Sequence, residues 1–284
     1  MERRFQQLDV FAGAAPLSGN PLAVVVDAQG IDELRMAAFA RWTNLSETTF
    51  LLPPADPAAD YRVRIFTPAG ELPFAGHPTL GSCHAWLASG GVPKAAGVVV
   101  QECGAGLVRV KIGEGGEARR SLAFAAPKLL RSGPLDEALL AQIAQALGVA
   151  RSELVHHQWA DNGPGWAAVM LASAAQLLAL KPDFSAVPTL KLGVVAAQVA
   201  GHDAAFEVRA FFPAGGHHFE DPVTGSLNAA LAQWLIGAGL APARYVAAQG
   251  AAVQRAGRVQ VEQDGDAIWI GGAVVVHVGG TLRL

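Results

Sequence analysis

Hydrophobic and polar positions along the chain follow two rhythms. Tyr61 to Thr67 sets Tyr, Val and Ile between arginines, the period-two pattern of a half-buried strand. β-branched or aromatic runs at Phe5–Phe11, Leu22–Val26, Thr48–Leu52, Val98–Gln101, Leu107–Ile112, Trp166–Leu171, Val194–Val199 and Phe206–Phe212 predict further strands. The helical rhythm shows first between Asp32, a capping residue, and Trp42, with Leu34, Ala37, Ala38 and Trp42 expected on the inner face. It returns from His77 to Ala88, and from Asp136 to Leu147. There Leu139, Ile143 and Leu147 form one stripe and Gly148 is the stop signal. A fourth helix is expected over Val223–Ile236. Pro53, Pro54 and Pro57 mark a surface loop, Pro127 to Pro134 reads as a linker, and the tail reads as strands separated by glycine turns. Strands and helices alternate in both halves, so the fold class is mixed α/β or α+β.

An internal repeat divides the chain. Val63-Arg64-Ile65-Phe66-Thr67-Pro68-Ala69-Gly70 and Val208-Arg209-Ala210-Phe211-Phe212-Pro213-Ala214-Gly215 share Val, Arg, Phe, Pro, Ala and Gly at an offset of 145 residues (208 − 63). His77-Pro78-Thr79-Leu80-Gly81-Ser82 aligns with Asp221-Pro222-Val223-Thr224-Gly225-Ser226 at an offset of 144 (221 − 77). Two copies so far apart imply duplicated domains, not a solenoid. In this alignment a proline sits early in each helix, where its missing N–H costs nothing, and Gly-Ser leaves first-turn amides open. Such helix starts attract anions. A pseudo-twofold relation would set two of them across one cleft, with His77 and Asp221 equivalent. The bland alternative is two well-capped helices.

Composition narrows the function. The chain has 284 residues, 51% of them hydrophobic and 16% charged, with a formal net charge of −3. That supports a sizeable core and offers no basic footprint for nucleic acid. The two cysteines, Cys83 and Cys103, form no disulfide framework. Gln6, Gln7 and Asp9 interrupt what a signal peptide would need as an apolar stretch. The longest apolar segment, Trp166 to Leu180, falls short of the ~20 residues of a membrane span. The expected location is cytoplasmic, with no membrane partner. Gly104-x-Gly106 is too short for a dinucleotide fingerprint and reads as a hairpin turn. His156-His157 reads as surface and His84 as core.

Several blocks together resemble one known family. They are Asp9-Val10-Phe11 followed by Gly19-Asn20-Pro21-Leu22-Ala23-Val24-Val25, then Asn44-Leu45-Ser46-Glu47-Thr48-Thr49-Phe50 and Arg64-Ile65-Phe66-Thr67-Pro68. Glu71-Leu72-Pro73-Phe74-Ala75-Gly76-His77-Pro78-Thr79-Leu80-Gly81 and Glu220-Asp221-Pro222-Val223-Thr224-Gly225-Ser226 complete the set, in family order over essentially the whole chain. The resemblance is to the PhzF-like isomerases of phenazine biosynthesis. It implies the diaminopimelate-epimerase-like fold: two pseudo-symmetric lobes, each a barrel-like sheet around a central helix. The expected division is 1–126 with a returning strand 273–284, and 127–272. The resemblance further implies a homodimer without metal or organic cofactor. The type member isomerises trans-2,3-dihydro-3-hydroxyanthranilate, a small cyclic amino acid.

Carried over residue by residue, the resemblance makes Glu47 the catalytic acid/base, supported by His77 and Asp221. Gly76, Gly225 and Ser226 match positions that hold the substrate carboxylate. Leu45 and Phe50 would desolvate the Glu47 carboxylate, which favours a proton shuttle. Glu47 would take an activated C–H proton and return it at another carbon. Two other readings remain: a small-carboxylate binding protein without turnover, and a racemase or epimerase on the same fold. Racemases and epimerases of this fold oppose two cysteines, where this chain has Ala75 and roughly Thr224. Gly215-Gly216-His217-His218-Phe219 departs from the family, and His217, His218 and Glu220 fit no strong zinc spacing. They are expected to tune the substrate pocket or to lie in solvent.

Overall fold

The computed structural model describes residues 1–284. The chain forms two compact units, Met1–Ala125 with Gly271–Leu284, and Ala126–Ile270. In the first, β1 (Glu2–Val10), β2 (Asn20–Val25), α1 (Glu33–Thr43), β3 (Glu47–Leu52), β4 (Tyr61–Thr67), β5 (Gly70–Leu72), α2 (Gly76–Ala88), β6 (Val98–Cys103), β7 (Gly106–Gly115) and β8 (Arg119–Ala125) follow in order. The second carries α3 (Glu137–Leu147), β9 (His156–Trp159), β10 (Trp166–Leu171), α4 (Ala174–Ala179), β11 (Lys191–Ala197), β12 (Phe206–Ala214), β13 (His217–Glu220), α5 (Gly225–Gly237), β14 (Arg244–Gln249) and β15 (Gly257–Asp264). The final strand, β16 (Ala267–Arg283), begins in the second unit and ends in the first.

Sheet topology shows the duplication directly. β1–β2 is antiparallel, β2–β3 parallel, β3–β4 antiparallel, β4–β6 parallel and β6–β7 antiparallel. β9–β10, β10–β11, β11–β12, β12–β14 and β14–β15 repeat those senses in the same order. In the first unit β16 pairs with β1 and neighbours β8, closing an eight-stranded barrel.

Each unit is built round one helix. α2 packs against β1, β2, β3, β4, β6 and β8, and every residue from Gly76 to Ala85 is buried. The helix carries no charged residue and no polar stripe, so it has no solvent face, and its buried Thr79, Ser82 and His84 find partners in Gln101, Thr49 and the Glu117 carbonyl. Its close fit needs Gly81, where a Cβ would stand 2.5 Å from Leu22 Cδ2 and 2.7 Å from Leu8 Cδ1. α5 is buried in the same way, from Gly225 through Leu235 with few breaks. α1 covers the outer side of the first sheet through Val25, Phe50 and Phe66. α3 and α4 cover the second through Val169, Val194 and Phe211.

The structure corrects several expectations. α1 buries Met36, Phe39 and Ala40, while Leu34 and Trp42 are 82% and 79% exposed. The helix carries apolar residues on two sides, and the stripe with Phe39 and Met36 wins because it fills more of the cluster. α3 faces inward through Leu140 and Ala144 as well as Ile143 and Leu147. The tail is three strands with turns at Gly250 and Gly265, as expected, but the last of them, β16, runs unbroken through its glycines from Ala267 to Arg283. Gly271 lies inside it because a Cβ there would meet Leu122 O at 2.7 Å.

The repeat itself has a different register. The Arg64 side chain grips Glu71 (Nε–Oε1 2.7 Å), and Arg209 grips Glu220 (Nη2–Oε2 2.7 Å). In both copies the glutamate lies in a short hairpin strand opposite a phenylalanine, Phe66↔Glu71 and Phe211↔Glu220. The central helix opens five residues after each, at Gly76 and at Gly225. The helices therefore correspond at an offset of 149 (225 − 76), not 144. The second hairpin is four residues longer, and Gly215 and Gly216 make its turn at φ 57° and 82°. His77 thus corresponds to Ser226. Asp221 precedes its helix, and Pro222 lies outside it altogether.

Candidate active site

Glu47 is placed by the end of α1. Asn44 closes that helix in the left-handed conformation, φ 55°, ψ 29°, which Asn tolerates better than most residues. The chain turns and β3 starts at Glu47, opposite Leu22 of β2. Two residues on, Thr49 points to the same side of the strand and receives a hydrogen bond from Ser82 Oγ of α2 at 2.9 Å. The tie fixes β3 against the central helix.

His77 is the second residue of that helix. Its Nε2 lies 3.2 Å from Glu47 Oε2, with side chains 7% and 15% exposed. The distance is that of an ion pair, but the ring N–H is not aligned as a hydrogen bond. Burial lowers the His77 pKa to about 3. Proximity to a carboxylate would favour an imidazolium, yet the loss of water around the ring outweighs it. At neutral pH the pair is therefore a neutral imidazole against Glu47.

The helix start beside them is uncapped. Ala75, the residue before α2, has extended backbone and no side-chain hydrogen bond to the first turn, which also carries no acidic residue. The first helical bond runs from Thr79 N to Ala75 O at 3.1 Å, so the amides of Gly76 and His77 lie ahead of the helical ladder.

In the second unit the preceding residue, Thr224, is likewise extended and makes no side-chain cap. Its hydroxyl turns back and donates to Asp221 Oδ2 at 2.6 Å. Gln249, 1% exposed, organises the segment. Its Oε1 accepts from Thr224 N at 3.1 Å and Asn228 Nδ2 at 2.8 Å. Its Nε2 donates to Asp221 O at 3.1 Å and Thr224 Oγ1 at 2.9 Å. Ser226 is held by two further residues, with Trp166 Nε1 donating to its Oγ at 3.1 Å and Asn162 Nδ2 to its carbonyl at 2.9 Å. Glu47, His77 and Gly76 thus group in the first unit, and Asp221, Gly225 and Ser226 in the second.

Comparison with known proteins gives the family. Residues 8–280 match the family model PhzC-PhzF, described as phenazine biosynthesis-like protein. The chain belongs to that family. It is 38% identical over 235 residues to antisense-enhancing sequence 1 of Schizosaccharomyces pombe, covering 79% of this chain and 77% of the relative. It is 35% identical over 230 residues to trans-2,3-dihydro-3-hydroxyanthranilate isomerase of Pseudomonas chlororaphis, again covering 79% and 77%. A crystal structure of a Bacillus anthracis phenazine biosynthesis protein, PhzF family, superposes with a TM-score of 0.82 over 100% of both chains at 22% identity. The fold is the diaminopimelate-epimerase-like α+β fold, with a barrel-like sheet around a central helix in each unit.

Residues flagged in the sequence find particular places within this family fold. Ala75 and Thr224 are the residues that precede the two central helices, and neither is a thiol. Cys83 is buried and Cys103 half-buried, both as free thiols, and burial raises both pKa values. His218 stacks on Phe184 at 4.2 Å between ring centroids, and its Nε2 lies 2.9 Å from Leu190 O. Glu220 is taken by Arg209, so it is not free to act beside His217, which is exposed. His84 is buried with Nε2 2.9 Å from Glu117 O. No helix is long and apolar enough to cross a membrane. No motif or periodicity in the sequence marks Gln249, Trp166 or Asn162. Only the Gly163-Pro164-Gly165 turn before Trp166 signalled a special backbone there.

Proposed function

We propose that this chain is an isomerase that moves a proton, and with it a double bond, in a small unsaturated or cyclic amino or hydroxy carboxylate, using Glu47 as base and then acid. The supporting observation is the Glu47–His77 pair: a carboxylate at 15% exposure, 3.2 Å from a buried imidazole. A neutral imidazole neither neutralises Glu47 nor competes with it as a strong base, so the carboxylate keeps the proton-accepting role. One group that takes a proton and returns it elsewhere leaves no net change in the enzyme, as isomerisation requires. The name carried by the Pseudomonas chlororaphis relative supports trans-2,3-dihydro-3-hydroxyanthranilate as the first substrate to try.

The other roles follow from local chemistry. First-turn amides are the proposed seats for a substrate carboxylate, at Gly76 in the first unit and at Gly225 and Ser226 in the second. Asp221, held by Thr224 and Gln249, accepts a hydrogen bond from a substrate amino or hydroxyl group. Hydrogen bonds at the site stabilise the charge that develops when the proton leaves. None of these roles calls for a redox group or metal. Stereoinversion by two opposed thiols has no support, since Ala75 and Thr224 stand at the helix starts.

The test is Glu47→Gln assayed in deuterated water. Wild-type protein should convert the substrate and incorporate solvent deuterium at the new C–H position. The variant should fold and bind but lose turnover by about 10²–10⁴-fold. Retained turnover in the variant would refute the assignment. Binding without deuterium incorporation in the wild type would favour a binding protein.

A further inference from the structure

We infer that Trp166 is a positioning residue for the carboxylate subsite: its indole N–H fixes the Ser226 hydroxyl so that the hydroxyl proton points to the substrate. The inference rests on the reading above that Ser226 holds a carboxylate. Trp166 opens β10 and is 4% exposed. An indole N–H so buried needs an acceptor, and it has Ser226 Oγ at 3.1 Å. A serine hydroxyl has one donor and two acceptor sites. With an N–H occupying one acceptor site, the O–H remains available to give, and a carboxylate can only receive. Without that N–H the hydroxyl is free to rotate, and its alignment must be restored on binding.

The surroundings hold both partners still. Asn162 Nδ2 donates to the Ser226 carbonyl at 2.9 Å, which fixes the backbone that carries the hydroxyl. The loop bearing Asn162 and leading into Trp166 is pinned by Asp161, whose Oδ1 accepts from Gly163 N and Gly165 N, both at 2.7 Å. Gly163 and Gly165 have φ of 136° and 90°, so the loop shape is one that other residues rarely adopt. The corresponding helix position in the first unit carries His77, set against Glu47. In each unit the second residue of the central helix is thus met by a side chain from an early strand. Carboxylate and imidazole meet in one unit, and indole and hydroxyl in the other.

The experiment pairs Trp166→Phe with Ser226→Ala and the double variant. Affinity for 3-hydroxyanthranilate is read by calorimetry, and KM and kcat are read on trans-2,3-dihydro-3-hydroxyanthranilate. Trp166→Phe keeps the ring and loses the N–H. Its dissociation constant should rise about tenfold, with the kinetic loss on KM rather than kcat. In the Ser226→Ala background the same change should cost almost nothing more, because the partner is gone. A purely structural tryptophan would give equal losses in both backgrounds and overturn the inference. If Trp166→Phe does not fold, the indole ¹⁵N–¹H signals of the six tryptophans serve instead. One signal should move in Ser226→Ala and saturably with 3-hydroxyanthranilate, and no movement overturns the inference. Turnover by wild type with an unchanged KM in Trp166→Phe removes the inference and leaves the isomerase. Trp166-dependent binding without turnover removes the isomerase and leaves the inference. No binding by wild type removes both.

Discussion

Ser226 occupies in α5 the place that His77 occupies in α2, the second residue of a buried helix that opens with glycine. The correspondence is visible only through the strands. Each helix begins five residues after a glutamate gripped by an arginine of the preceding long strand, Arg64 with Glu71 and Arg209 with Glu220. The duplicated scaffold has kept that grip and changed what the helix start carries. One copy offers an imidazole beside a carboxylate, the other a hydroxyl beside an indole N–H. Such divergence gives the two copies different chemistry at the same helix position.

Acid should destabilise the protein through His77. Its folded pKa of about 3 lies below the unfolded value near 6.5. Between these values the unfolded chain binds a proton that the folded chain refuses, so stability falls as pH drops through that window. The slope from this residue approaches about 1.4 kcal/mol per pH unit. Burial lowers His84 as well and adds to the trend. Urea denaturation at stepped pH between 7 and about 4 should show the loss. His77→Asn should flatten the slope, and an unchanged slope would contradict the buried neutral imidazole.

The two arginine–glutamate grips should differ in worth. Arg209 and Glu220 are 6% and 10% exposed, and Arg209 also donates to the carbonyls of Leu177 and Leu180 at 3.1 and 3.0 Å. Glu220→Gln leaves a buried guanidinium without its counter-ion, at a cost of about 3–5 kcal/mol. Glu71 is 37% exposed, and Arg64 retains Glu33 at 2.8 Å. Glu71→Gln should cost about 1 kcal/mol or less. Denaturation midpoints of the two variants test the contrast, and equal losses would refute it.

Much of this architecture was legible in the sequence, and the failures have physical causes. Strands such as Tyr61–Thr67 declare themselves because one face is buried and the other is not. α2 and α5 are legible as helices, with starts within one and two residues of the expected His77 and Val223, but the correspondence between the two starts is not. A central helix has no amphipathic stripe, and uncapped ends leave no capping residue to read. The Pro-x-x-Gly-Ser likeness between residues 78–82 and 222–226 then suggested a register that the hairpin lengths exclude. In α1, Leu34–Trp42 and Met36–Phe39 both form stripes at helical spacing, and only the shape of the sheet beneath decides between them. The Asn-Leu-Ser-Glu-Thr-Thr-Phe block marks Glu47 as a candidate, whereas Gln249 and Trp166 meet partners distant in sequence, beyond the reach of periodicity.

Gly81 should not tolerate a methyl group. A Cβ there would press on Leu22 Cδ2 at 2.5 Å and Leu8 Cδ1 at 2.7 Å, both in buried side chains of the surrounding strands. Alanine is the better helix former by about 1 kcal/mol, so on an open helix the change would stabilise. Here overpacking should prevail, with a net loss of about 1–3 kcal/mol. A raised melting temperature for Gly81→Ala would show that the barrel can relax around α2.

Gln249 should matter to folding and to Asp221 together. All four of its amide contacts are filled, by Thr224 N, Asn228 Nδ2, Thr224 Oγ1 and Asp221 O. Gln249→Ala strands the buried backbone N–H of Thr224, at about 1–3 kcal/mol, and removes one of the two acceptors of the Asn228 amide, which keeps Thr224 O at 2.9 Å. The melting temperature should fall by roughly 5 °C or more. Gln249→Glu preserves the size and one acceptor role but cannot donate to Thr224 or Asp221. It should therefore retain more stability than the alanine variant while losing the hold on the Asp221 backbone. If Asp221 orients the substrate, kcat/KM of the glutamate variant should fall even where the protein remains folded at the assay temperature. Equal kcat/KM in wild type and Gln249→Glu would separate Asp221 from the chemistry and leave this network a purely structural role.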